Sequence, residues 1–117
     1  MLHFEKLVVW QKSLLYAREL VKMADELPQK YQSSFGDQLR RSALSIPNNI
    51  AEGSGRASSR DRANFYSVAR GSLYESVNIL KLLEELKLSC LKGFNFGILY
   101  GIAEEVAKMI FGLSKRS

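Results

Sequence analysis

Residues 37–55 read DQLRRSALSIPNNIAEGSG, and this stretch decides the fold class of the chain. Leu39, Ala43, Ile46 and Ile50 fall at helical spacing within a narrow arc and make one apolar stripe. Gly53 and Gly55 stop the helix. Pro47 lies inside it, where proline removes one backbone hydrogen bond and its ring meets the carbonyl of Ala43, at about 3 kcal/mol in a helix interior. Ser45, Asn48 and Asn49 are short polar residues able to bond freed backbone groups. The reading is one helix over residues 37–53, kinked at Pro47.

On the N-terminal side, QKYQSSFG at residues 29–36 reads as a polar connection, with Asp37 or Ser34 as N-cap of the central helix. Before it, Pro28 stops a helix over residues 7–27. Leu7, Trp10, Leu14, Ala17, Val21 and Ala24 recur at spacings of three and four and are assigned to its inner face. Lys12, Glu19, Lys22 and Glu26 lie opposite. Val8 and Leu15 sit near that outer side, so this helix is not cleanly two-faced.

On the C-terminal side, Ser58 or Ser59 caps a third helix over residues 59–88, and Asp61 adds a favourable negative charge to its first turn. Phe65, Ala69, Ser72, Ser76, Leu80 and Leu83 form its stripe. Val68, Leu73, Val77, Ile79, Leu82 and Leu86 widen it, leaving a narrow polar strip that includes Tyr74 and Lys81. So wide an apolar surface needs more than one partner helix. A turn near Cys90–Gly93 leads to a last helix over residues 95–113, with Ile98, Leu99, Ile102, Val106, Met109, Ile110 and Leu113 inside. Phe96, Tyr100, Ala107 and Phe111 form a second apolar strip almost opposite, and are the candidates for an interface between copies of the chain.

No strand-like alternation of useful length appears. Four helices with short connections predict an all-α fold, an antiparallel up-and-down four-helix bundle in a single domain over residues 1–117. Hydrophobic residues make up 46% and charged residues 25%, ordinary proportions for a packed domain. The net charge of +5 favours anionic partners. Cys90 is the single cysteine, so no internal disulfide forms, which fits a reducing cytoplasm. The opening MLHFEKLVVW lacks a following small-residue cleavage site and does not read as a signal peptide. No apolar run approaches the length of about 20 residues that crosses a bilayer, so no membrane is expected.

Three runs look familiar: WQKS at Trp10–Ser13, RRSALSIPNNIAEG at Arg40–Gly53 and FYSVARGSLYE at Phe65–Glu75. Together they resemble the four-helix-bundle family of 23S rRNA intervening-sequence proteins, in the right order over nearly the whole chain. The resemblance implies a small left-handed antiparallel bundle that forms ring-shaped homopentamers. It also implies similarity to the basic accessory proteins of diversity-generating retroelements, which work beside a reverse transcriptase and contact nucleic acid. No enzyme activity is established for the family.

The residues themselves carry one charged feature. Arg40, Arg41, Arg56, Arg60, Arg62 and Arg70 face only Glu52 and Asp61 between residues 38 and 70, so most of the net charge resides there. The planar fork of arginine suits phosphates, and the region is the candidate contact for RNA or DNA, repeated around an oligomer. Ion pairs within the assembly are the structural alternative. Arg41 and Glu52 share one side of the central helix and either anchor a polar network at a subunit boundary or pair with Arg70 or Glu75. The tyrosines are spread over several elements rather than interleaved with arginines, so stacking on bases has little support. Catalytic, cofactor and metal sites are not expected. His3 is the only histidine, Cys90 has no thiol partner, and GSG at Gly53–Gly55 lacks a preceding strand. The expected class is a non-enzymatic, homo-oligomeric bundle that contacts RNA or DNA. The rival is a scaffold whose partner is another polypeptide, such as a polymerase.

Overall fold

The structure, a computed structural model, describes residues 1–116. Four long helices carry the chain: α1 over Val8–Glu26, α2 over Asp37–Ser54, α3 over Ser59–Leu86 and α4 over Phe96–Arg116. Among the described residues there is no strand. Consecutive helices pack on one another and α1 also meets α4, so the four surround one core. Across α2 and α3, Ser45 meets Ser72 while Gly53 faces Tyr66. Residue numbers therefore rise along one helix as they fall along the other.

The apolar stripe of α2 is the most deeply buried part of the quoted stretch: Leu39, Ala43, Ile46 and Ile50 are fully inaccessible. Pro47 lies within one continuous helix, and its ring is buried too. Of the nearby polar residues, Asn49 Nδ2 donates back one turn to the Ser45 carbonyl at 2.8 Å and to Ser45 Oγ at 3.0 Å. Ser45 Oγ in turn meets Ser72 Oγ at 2.7 Å, which ties the proline segment to α3.

The glycines act otherwise than expected. Neither Gly53 nor Gly55 has a positive φ, so no left-handed cap ends α2. Gly53 is needed for space: a Cβ there would lie 2.7 Å and 2.9 Å from two Tyr66 ring carbons and 3.0 Å from Phe65 Cβ. The two helices approach through the missing side chain.

On α1 the inner face is rotated from the predicted stripe. Leu14 and Val21 are 46% and 40% exposed, whereas Val9, Ser13, Tyr16, Leu20, Met23 and Leu27 are buried. Polar side chains enter the core where their polar atoms are satisfied. Ser13 Oγ donates to the Trp10 carbonyl at 2.8 Å. Ser76 Oγ donates to the Leu73 carbonyl at 2.6 Å, and the Tyr16 hydroxyl bonds to the same Ser76 oxygen at 2.7 Å. Burial pushes the Tyr16 hydroxyl up to about 12, against a smaller opposing effect of the Ser76 bond.

The connection before α2 is not a loop. Gln29–Tyr31 makes a 3-10 turn and Gln32–Gly36 a π-helical turn that runs directly into α2. Gly36 precedes the helix without a side-chain cap, so neither Asp37 nor Ser34 serves as N-cap. Gln32 does the capping work instead, on the other helix. Its amide donates to the Ala24 and Leu27 carbonyls at 2.8 Å and 2.9 Å, satisfying the C-terminus of α1. At α3 the cap is Ser58, whose hydroxyl accepts from the Asp61 backbone amide at 3.1 Å. The helix ends at Leu86, two residues before the expected point, because Lys87 turns into the left-handed region at φ 51°.

Candidate nucleic-acid interface and apolar faces

Arg40 and Arg41 stand near the start of α2, and Arg56 follows its end. Fourteen helical steps of about 1.5 Å separate Arg40 from Ser54 at the end of α2, roughly 21 Å along the axis, and Arg56 lies beyond. The basic region is therefore two groups, with Arg56, Arg60 and Arg62 around the α2–α3 turn and Arg70 further along α3.

Neighbouring in sequence, Arg40 and Arg41 have different surroundings. Arg40 is held by Asp25 at 2.9 Å, Gln32 at 2.8 Å and Asp37 at 3.5 Å, so its charge is met within the chain. Arg41 is exposed, and its side chain has no hydrogen bond or ion pair among the described residues. Within the chain Glu52 pairs with Arg56, 3.0 Å away and one turn on, and not with Arg70. Arg41 and Glu75 do line one shallow polar groove, together with Gln38, Ser42, Ser45 and Ser72.

At the turn, Arg62 donates to the carbonyls of Arg56 and Ala57 at 3.0 Å and 2.9 Å, which fixes the chain entering α3 while leaving the charge of Arg62 uncompensated. Arg60 is exposed and, like Arg41, without a side-chain partner among the described residues. Two of the six arginines are thus fully available, and two, Arg40 and Arg56, are paired with carboxylates within the chain.

Cations and aromatic rings lie closer together than the sequence pattern suggests. Arg56 sits 4.7 Å from the Phe65 ring centroid, Arg70 5.1 Å from Tyr74, Lys81 3.8 Å from Tyr100 and Lys115 5.1 Å from Phe111. Spacing along the chain hides two of these: Arg56 and Phe65 stand nine residues apart, and Lys81 and Tyr100 belong to different helices.

The second strip of α4 is turned toward α3 rather than away from the core. Phe96, Tyr100 and Ala107 are half-buried against the core, and Phe111 alone of the four is exposed, at 52%. The Tyr100 hydroxyl donates to Glu84 Oε1 at 2.7 Å, and burial, with the neighbouring Glu84 carboxylate, pushes its ionisation upward. Ile98, placed on the inner face by its period, is exposed. Other large apolar side chains reach solvent on the remaining helices: Val8, Leu14, Leu15 and Val21 on α1, Leu44 on α2, and Val68, Leu82 and Leu86 on α3. Leu14 and Val21, seven residues apart, share one side of α1.

Among the described residues, no three of His, Cys, Asp and Glu come together in a way that could hold a metal ion. No helix among them is long and apolar enough to cross a membrane. No curated protein matches the chain by sequence. Family membership rests on a broader match, because the sequence profile of the 23S rRNA-intervening sequence proteins aligns with residues 5–112, and the chain belongs to that family.

Proposed function

We propose that this protein is a non-enzymatic helical bundle of the cytoplasm that self-associates and binds RNA or DNA through phosphate contacts. The observation that carries the reading is the free pair Arg41 and Arg60, exposed on different ends of α2 and α3 without internal partners. Arg62, whose charge is uncompensated, stands near Arg60 and adds to the same field. One chain offers few phosphate contacts, so useful affinity comes from repeating them in an assembly. The exposed apolar residues of α1 supply a surface for that assembly, and the family resemblance implies a ring of five.

Binding of this kind weakens steeply with salt, and each phosphate contact removed lowers the slope of log affinity against log salt by about 0.7–0.9. Titration of the protein with a labelled duplex and a labelled single strand at several salt concentrations tests this. Arg41→Gln with Arg60→Gln is expected to flatten the slope and weaken binding uniformly across sequences. A folded, assembled wild-type protein that binds neither nucleic acid at low salt overturns the reading. Light scattering tests the assembly separately, and a monomeric mass at micromolar concentration excludes it.

The scaffold reading has its own support, since an apolar face around Leu14 and Val21 equally suits another polypeptide. A partner recovered after nuclease treatment, and lost on Leu14→Glu, favours it over direct nucleic-acid contact.

A further inference from the structure

Along the outer side of α3 and α4 a groove runs past three cation–aromatic pairs. Its middle is a cleft of about 280 Å³ whose walls include Leu73, Tyr74, Val77, Lys81 and Tyr100. Toward the α2–α3 turn it continues as a second hollow lined by Tyr66, Arg70, Tyr74 and Phe111. Tyr74 belongs to both, so the two hollows are one path. Tyr74 is 57% and Phe111 52% exposed, and neither ring is needed to close the core.

From these features we infer that the groove is a platform for single-stranded nucleic acid, with bases stacked on Tyr74 and Phe111 and phosphates held by Arg70, Lys81 and Lys115. The inference rests on the nucleic-acid reading above and names the form of the ligand. Bases of a single strand present their π-faces to rings, whereas a duplex keeps those faces inside its own stack. Arg70 and Lys81 are eleven residues apart on α3, about 16 Å of helix, which about five stacked nucleotides span.

Charge favours this occupant. Arg70 and Lys81 line the groove and Lys115 sits beside the Phe111 ring, three cations against two carboxylates, Glu104 on the wall and Glu84 at the Tyr100 hydroxyl. Glu104 lies on the α4 wall of the first cleft, so there the phosphates run on the α3 side, by Lys81. Packing an apolar helix of a second copy here would strip water from three cations without supplying their counter-charge.

The test uses fluorescence anisotropy with a labelled deoxythymidine oligomer of about 20 nucleotides, long enough for one binding site, and a duplex of equal length. Tyr74→Ala and Phe111→Ala are each expected to weaken the single strand on the order of 10-fold while leaving the duplex unchanged. Tyr74→Phe keeps the ring and is expected to keep the affinity. Ultraviolet cross-linking of the oligomer to the unaltered protein, mapped by mass spectrometry, is expected to mark the Tyr74 or Phe111 peptide and is independent of how any variant folds. If the alanine variants bind the oligomer as wild type while Arg41→Gln with Arg60→Gln loses it, the platform is wrong and the phosphate reading stands. If wild type binds neither probe at low salt, both fall. If the alanine variants instead reduce the assembled mass, the groove is an interface between copies and the inference is overturned.

Discussion

Replacing Gly53 by alanine sets two known effects against each other. In a helix interior the change is worth up to about 1 kcal/mol in favour of alanine. Gly53 lies one residue from the end of α2, where that gain is reduced. Against it stands contact with Tyr66, whose ring carbons would be 2.7 Å and 2.9 Å from the new methyl. Distances that short require one of the two to shift. Tyr66 is buried between helices and Phe65 Cβ, at 3.0 Å, blocks the other direction. Overpacking of this sort costs about 1–3 kcal/mol, so the net expectation is a loss of about 1–2 kcal/mol. Urea unfolding followed by circular dichroism reads it as a midpoint lowered by about 0.5–1 M, with unchanged slope. Gly71→Ala is the internal control. It lies mid-α3 with nothing within 4 Å of the added atom, so alanine there is expected to stabilise by about 0.5–1 kcal/mol. If Gly53→Ala is as stable as wild type, Tyr66 does not set the separation of α2 and α3, and the spatial account of the glycine is wrong.

Three further outcomes follow from contacts already described. Arg40→Ala is expected to lower stability by about 0.5–1 kcal/mol and leave nucleic-acid affinity unchanged, while Arg41→Ala does the reverse; paired unfolding and binding titrations separate the two. Gln32→Ala removes the cap on α1 and is expected to lower stability by about 1 kcal/mol in the same urea assay. Tyr16 is raised to about 12 in the folded chain, so its contribution to stability is complete below pH 10 and disappears as pH rises from 10 to about 12. Tyr16→Phe is therefore expected to unfold less steeply with alkali than wild type over that window, although it is less stable by about 1 kcal/mol at pH 7 for want of the Ser76 bond.

The site was less legible than the fold, for a definite reason. Whether an arginine is free depends on groups far away in the chain. Arg40 is neutralised chiefly by Asp25 and held in place by Gln32, which belong to the end of α1 and the turn after it, and no spacing rule on α2 identifies them. Arg41, one residue on, points elsewhere and stays free. The cation–aromatic pairs are hidden in the same way when they join different helices, as Lys81 and Tyr100 do. By contrast Arg70 and Tyr74 are four apart on one helix, and that i,i+4 spacing was a signal available without any structure.

All four helices use the alternating four-and-three spacing of a packed seam. On α2 it runs Leu39, Ala43, Ile46, Ile50 and Gly53, every one buried. Gly53 is thus the last position of the core stripe, filled from across the interface by Tyr66. On α1 two such registers compete. Leu7, Trp10, Leu14, Ala17, Val21 and Ala24 form the more apolar one, and Val9, Ser13, Tyr16, Leu20, Met23 and Leu27 form the other. The second is the inner face, although it contains a serine and a tyrosine. What decides between them is the partner: Ser76 on α3 occupies a seam position of its own and accepts the Tyr16 hydroxyl. Tyr16 looks misplaced in its own helix, and its hydroxyl is satisfied in the core by Ser76, whose own hydroxyl donates to the Leu73 carbonyl. Of the losing register, Ala17 and Ala24 are still buried and Leu7 and Trp10 half-buried, while Leu14 and Val21 are left at the surface and make α1 a candidate for assembly.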